Sequence, residues 1–242
     1  MGNVDDLNSL IGSMRIVDLA PRLERGMPRW PTHPHFMLDP TMTHAHDGYY
    51  CQSLVLPEHL GCHCDMPAHT VAGMMDATVD LLPVNRFLAP AVVYDFTALD
   101  LQAGELLDAP HVERMEAETG VKAAEGEIAL VNFGWLKRHW RTDHMAQWYA
   151  RNSPGMTEAA VELFASRKLR AVGADTIACE ISIVDGKAGA SPGHRKHWLP
   201  NGILILECVA NLEKVAKRIF FAALPLPIAN GSGSPLRPVA LF

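Results

Sequence analysis

Six short apolar runs constrain the fold of this chain more than any other feature: residues 14–19, 91–96, 128–133, 169–173, 203–209 and 218–224. Most contain few polar residues and end at Gly, Pro, Asp or Asn, the pattern of strands covered on both faces. Helix signals lie between them. Asp108-Ala109-Pro110 sets an N-cap carboxylate ahead of a first-turn proline, and the helix it opens should end near Gly120. Thr157 caps a second helix running to about Lys168, and 136–149 holds a third, irregular one. Strands alternating with helices in the second half predict an α/β fold. The Pro- and Gly-rich first half predicts loop and strand. No repeat, linker or low-complexity stretch divides the 242 residues, so one domain is expected over 1–242.

Charge and hydropathy remove several function classes. Lys and Arg number 21 against 27 Asp and Glu, and no basic cluster stands out, which argues against binding nucleic-acid phosphates. A hydrophobic content of 48% excludes general disorder. Glu207 interrupts the strongest apolar run, 202–210, so no stretch is long enough to span a membrane. The first twenty residues carry acids early and no cationic segment before an apolar one, so no secretory signal is expected. Asp6 stands where N-myristoylation requires Ser or Thr. A cytoplasmic protein acting on a small molecule, with no nucleic acid and no membrane, is the expectation. Five cysteines without a Cys-x-x-Cys fit free thiols, mostly buried as small hydrophobes.

Histidine carries the chemistry. Twelve are present, and seven fall between His33 and His69. The informative stretch is His59-Leu60-Gly61-Cys62-His63-Cys64-Asp65-Met66-Pro67-Ala68-His69. In an extended chain its odd-numbered side chains, His59, His63, Asp65 and His69, project to one side, while Leu60, Cys62, Cys64, Met66 and Ala68 face packing on the other. His63 and Asp65 then stand roughly 6.6 Å apart and can reach one ion, whereas His59 lies roughly 13 Å from His63. The chain should therefore bend between them, at Gly61. Two neutral imidazoles and one carboxylate suit zinc or a similar divalent ion with positions left for water. His69, beyond Pro67, suits proton transfer. The remaining histidines, His33, His35, His44, His46, His111, His139 and His144, are expected to be ordinary surface or core residues.

The segment resembles the signature His-x-Gly-Thr-His-x-Asp-x-Pro-x-His of the metal-dependent cyclase/hydrolase family, which includes bacterial kynurenine formamidase and isatin hydrolase. The likeness extends over Met27-Pro28-Arg29-Trp30-Pro31, Gly173-Ala174-Asp175-Thr176, His197-Trp198-Leu199-Pro200 and Gly231-Ser232-Gly233-Ser234-Pro235-Leu236-Arg237. It implies a swivelling β/β/α single domain, a mostly β mixed sheet with flanking helices, assembled as a homodimer or larger homo-oligomer. It also implies hydrolysis of a small amide or lactam. By the same resemblance, His59, His63 and Asp65 match the ligands of a first zinc or manganese ion, His69 the catalytic histidine, and Glu207 the carboxylate of a second ion. Cys62 and Thr70 depart from the usual pattern. So does Arg195, which stands where the second-site histidine is common, leaving His194 and His197 as alternatives and one or two ions open. The Pro-rich segment 27–34 is expected at a dimer interface, with Trp30 on a wall of the substrate site. The same motif also fits a lactone hydrolase or cyclase, or a non-catalytic metal-binding protein.

Overall fold

A computed structural model describes residues 2–242. The chain opens with α1 (Asn3–Ser13) and β1 (Ile16–Asp18), then a hairpin of β2 (Met37–Met42) and β3 (Cys51–Val55) around α2 (His44–Asp47), then β4 (His63–Asp65). The middle holds β5 (Leu88–Asp95), β6 (Leu106–Leu107), α3 (Ala109–Thr119), β7 (Ile128–Asn132), α4 (Trp135–His139), α5 (Ala146–Arg151), β8 (Gly155–Met156), α6 (Glu158–Ala165) and β9 (Ala171–Ala174). The last part adds β10 (Ile183–Val184), β11 (Lys187–Ala188), β12 (Leu204–Glu207), β13 (Arg218–Ala222), β14 (Gly233–Pro235) and β15 (Val239–Leu241).

Nine strands form one curled mixed sheet in the order β1-β15-β13-β5-β7-β9-β12-β4-β14. The central four, β5, β7, β9 and β12, run parallel, and the flanking strands pair antiparallel. Every residue of β7, β9 and β12 is buried, which is why these strands read as apolar runs broken only at their ends, by Asn132 and Glu207. One face of the sheet sends Val92, Tyr94, Val131 and Ile205 against Val112 of α3 and Phe164 of α6. The other face packs Val93, Leu130 and Leu206 with Leu19, Phe87 and Phe221. The α/β class and the mixed sheet with flanking helices are as expected.

Local signals set most element ends. Asp108 accepts a hydrogen bond from the Ala109 N–H at 2.9 Å to start α3, which ends at Gly120. Thr157 Oγ1 accepts from the Ala160 N–H to start α6. That helix stops at Ala165, short of Lys168, which itself takes a left-handed conformation (φ 51°). The irregular stretch resolves into two helices: Asp143 accepts from the Met145 N–H at 2.8 Å and restarts the chain into α5. α1 has no counterpart in the sequence reading; none of its residues is buried, and Val4, Leu7 and Leu10 face outward. Cys51 is exposed, whereas Cys62, Cys64, Cys179 and Cys208 are buried free thiols. Among the described residues, no helix is long and apolar enough to cross a membrane.

Candidate metal centre

β4 lies between β12 and β14 and pairs antiparallel with both. The register sets His63 opposite Glu207 and Asp65 opposite Ile205. Opposed residues in such a ladder share a face, so His63, Asp65 and Glu207 converge on one side. Cys64 and Leu206 enter the core on the other. The alternation read from the sequence thus holds inside β4 and fails outside it. Ahead of the strand Gly61 bends the chain at φ 63°. Behind it Pro67 opens a 3-10 turn, Pro67–His69. His59 and His69 consequently come to the centre from turns on either side, their ring centroids 4.0 Å apart.

A fourth donor arrives from a π-helical turn, Gly193–His197, a rare element often found at functional sites. His194 Nε2 stands 3.3 Å from Asp65 Oδ2 and 3.5 Å from Glu207 Oε1. His63 Nε2 stands 3.4 Å from Asp65 Oδ1 and 3.3 Å from Glu207 Oε2. All four residues are at most 5% exposed. The opposite ring nitrogens are tied down: His63 Nδ1 donates to the Gly61 carbonyl at 2.9 Å, and His194 Nδ1 bonds the buried Glu180 carboxylate at 2.9 Å. Both Nε2 atoms are thereby aimed inward.

This donor set fits a divalent cation. Separations of 3.3–3.5 Å are long for charge-assisted hydrogen bonds, about 2.7–2.9 Å. The two from His63 Nε2 match the edge, about 3.3 Å, of a tetrahedron with ligand bonds of about 2.0–2.1 Å. Glu207 Oε1 is buried without a hydrogen-bond partner among the described residues, an oxygen waiting for a cation. The tied Nδ1 atoms supply the outer contacts that orient metal-binding imidazoles. His59 adjoins this group: its Nδ1 lies 2.6 Å from Asp65 Oδ1, and its Nε2 lies 2.9 Å from Ser232 Oγ. Ligand atoms of His59, Asp65 and His69 form an overlapping group that could hold a cation as well.

The electrostatics agree. Burial opposes charge on His63, yet its contacts with Asp65 and Glu207 win and push it up to about 10. His194 is likewise raised despite burial, by Glu180 and by Asp65. Asp65 is held well below the usual carboxylate range, burial being outweighed by His59, His194 and His63. Without a cation, protons on the imidazoles balance the carboxylates. His69 behaves oppositely: burial lowers it to about 4, leaving a neutral ring near pH 7.

Of the residues expected at the site, His59, His63, Asp65, His69, His194 and Glu207 come together, and Trp30 lines the cavity over them. His197 does not join them. It sits at 2.9 Å and 3.3 Å from Glu158 and Glu162 on α6. Three contributors escape the sequence reading. His33, read as an ordinary histidine, lies on the cavity wall with its ring centroid 6.0 Å from that of His59. Glu180 and Ser232 hold His194 and His59. No spacing signal marks any of the three, although Ser232 falls within the ending that carried the family resemblance.

Comparison with known proteins places this geometry. A family model described as putative cyclase matches residues 17–181. The isatin hydrolase of Roseibium aggregatum is 31% identical over 249 residues, covering 96% of this chain and 93% of that protein. The crystal structure of an isatin hydrolase bound to the product analogue thioisatinate superposes with a TM-score of 0.82 at 27% identity, covering 100% of this chain and 99% of that one. Isatin hydrolase A from Ralstonia solanacearum gives 0.81 at 27% identity, covering 100% and 98%. With the signature segment on β4 and its two turns, and the match spanning most of the chain, this protein belongs to the cyclase family.

Proposed function

We propose that the chain is a divalent-metal-dependent hydrolase that opens a small cyclic amide of the isatin type. One observation carries the reading: ligand atoms of the buried His63, Asp65 and Glu207 lie within 4.8 Å of one another, with His194 Nε2 at 3.3 Å and 3.5 Å from the second oxygen of each carboxylate. His63, Asp65 and Glu207 would hold one ion, zinc or manganese by donor type, with His194 beside them on the second oxygens of the two carboxylates. Where a second binds, it would sit beside His59 and Asp65, leaving the His69 ring to carry a proton.

When bound, such an ion would supply a nucleophilic water near neutral pH and polarise the amide carbonyl. The chain's own residues do the rest. Neutral His69 accepts the proton that the attacking water gives up. As the C–O bond forms and the C–N bond breaks, His69 returns that proton to the departing ring nitrogen. Glu180 and the Gly61 carbonyl hold His194 and His63 in the tautomers that keep Nε2 free for the centre. Trp30, Ile177 and Ile181 give a flat ring an apolar wall.

The same reading puts the protein in the cytoplasm as a homodimer or larger assembly. Four buried thiols without disulfides support a reducing compartment. The half-buried Trp30 segment and the outward-facing Met37, Leu54 and Val55 of the β2–β3 hairpin support association. The test measures bound metal and isatin ring opening on one preparation, beside N-formylkynurenine and simple lactones. Stoichiometric metal and chelator-sensitive opening of isatin are expected. An active, metal-free preparation would overturn the assignment.

A further inference from the structure

Among the described residues lining the cavity, Arg195 alone carries a fixed positive charge. It follows His194 in the π-helical turn and lies at the cavity's exposed rim. Its Nε donates to Ser191 Oγ at 3.2 Å. That bond orients the guanidinium and leaves both terminal nitrogens free. No carboxylate among the described residues lies within 4.0 Å of it, whereas the adjacent Lys196 pairs with Glu158.

The rest of the cavity sharpens the contrast. Its floor carries the carboxylates Asp65 and Glu207, and its walls are Trp30, Ile177 and Ile181. Imidazoles or a bound cation would offset those carboxylates, so the fixed positive charge available to an anionic substituent is the one at the rim, on Arg195. A guanidinium fork matches a carboxylate through two parallel hydrogen bonds. A ring seated in the cavity would shield that pair from water and strengthen it.

We infer that the cavity selects ring amides bearing a second, negatively charged group, which Arg195 holds while the amide lies over the buried donors. This rests on the amide-hydrolase reading and adds the substrate's charge to it. A charge-assisted pair of this kind is worth about 10- to 100-fold in affinity.

The test compares kcat/KM for isatin with its ring-carboxylated positional isomers, on metal-loaded wild type, R195Q and R195K at low salt. At least one isomer should exceed isatin by about 10- to 100-fold in the wild type. That ratio should fall to about one in R195Q and recover partly in R195K. Because each ratio is internal to one preparation, partial loss of folded protein cancels. No preferred isomer in the wild type, or a preference that survives R195Q, overturns the inference. Calorimetric titration with oxindole and its carboxylates separates the two readings. If the wild type opens no ring amide, the hydrolase reading fails, and Arg195 is judged by binding alone: tighter binding of a carboxylate that R195Q abolishes sustains the inference, and equal binding overturns it.

Discussion

His194 and His63 present Nε2 to the centre only because something else occupies Nδ1. For His194 that partner is Glu180, fully buried and bonded also to the His194 backbone N–H at 2.9 Å. Outer contacts of this kind typically set metal affinity by about 10- to 100-fold. Glu180→Gln, which preserves volume and one acceptor, should weaken metal binding by about that factor in a competition titration while the folded spectrum stays unchanged. His69 acts differently, since burial keeps its ring neutral and no side-chain hydrogen bond among the described residues ties it. His69→Ala should lower kcat by about 10²- to 10⁴-fold with metal content retained, whereas His63→Ala should lose the metal too. If His69→Ala loses its metal as fully as His63→Ala, His69 is a ligand and not the proton carrier.

Between elements, the centre depends on how closely β14 can approach β4. Gly233 is opposite Asp65 in that ladder. A Cβ added to it would lie 2.5 Å from the Cys64 carbonyl oxygen and 2.6 Å from His59 Cε1. Gly233→Ala should therefore cost about 1–3 kcal/mol of stability, the usual range for overpacking, and displace His59. Denaturant unfolding together with metal titration would detect both effects. A second junction ties the end of β9 to α4: the Phe133 and Leu136 N–H groups donate to Asp175 at 2.8 Å and 3.2 Å. Burial nevertheless pushes this carboxyl from 3.8 up to about 6, the backbone donors pulling the other way. A folded-state value above the unfolded one means that Asp175 adds stability fully below about pH 4 and loses it as pH rises through about 6. The unfolding free energy of the wild type relative to Asp175→Asn should fall by about 2–3 kcal/mol between those limits. A difference that is flat across pH 4–7 would show the carboxyl to be unshifted.

For the molecule as a whole, the donors of the centre come from the turn before β4, β4 itself, β12 and the π-helical turn, so a bound cation would clamp parts of the chain far apart in sequence. Ligand bound only by the folded state stabilises it by about 2.7 kcal/mol at a concentration of about 100 Kd. For a chain of 242 residues that corresponds to a Tm rise of about 5–10 °C. Chelation should lower Tm by this amount along with activity, and re-addition of zinc or manganese should restore both. Loss of activity with Tm unchanged would mean that the cation bridges no separate elements.

The sequence by itself determined the β-rich α/β class, the caps at Asp108 and Thr157, and the turns at Gly61 and Pro67, because each follows from the conformational preferences of adjacent residues. It also determined that His63 and Asp65 share a face, since strand alternation is a property of the backbone. Tertiary structure decided the rest. Glu207 meets His63 through the β12–β4 register, across more than a hundred residues of chain. His194 enters and His197 leaves because the π-helical turn leaves Glu180 beside one and α6 beside the other. His33 reaches the cavity from a Pro-rich loop with no periodicity to announce it. Local chemistry is written in neighbouring residues, whereas a buried cluster assembled from distant segments exists only once the sheet has set their register and brought their side chains within a few ångströms.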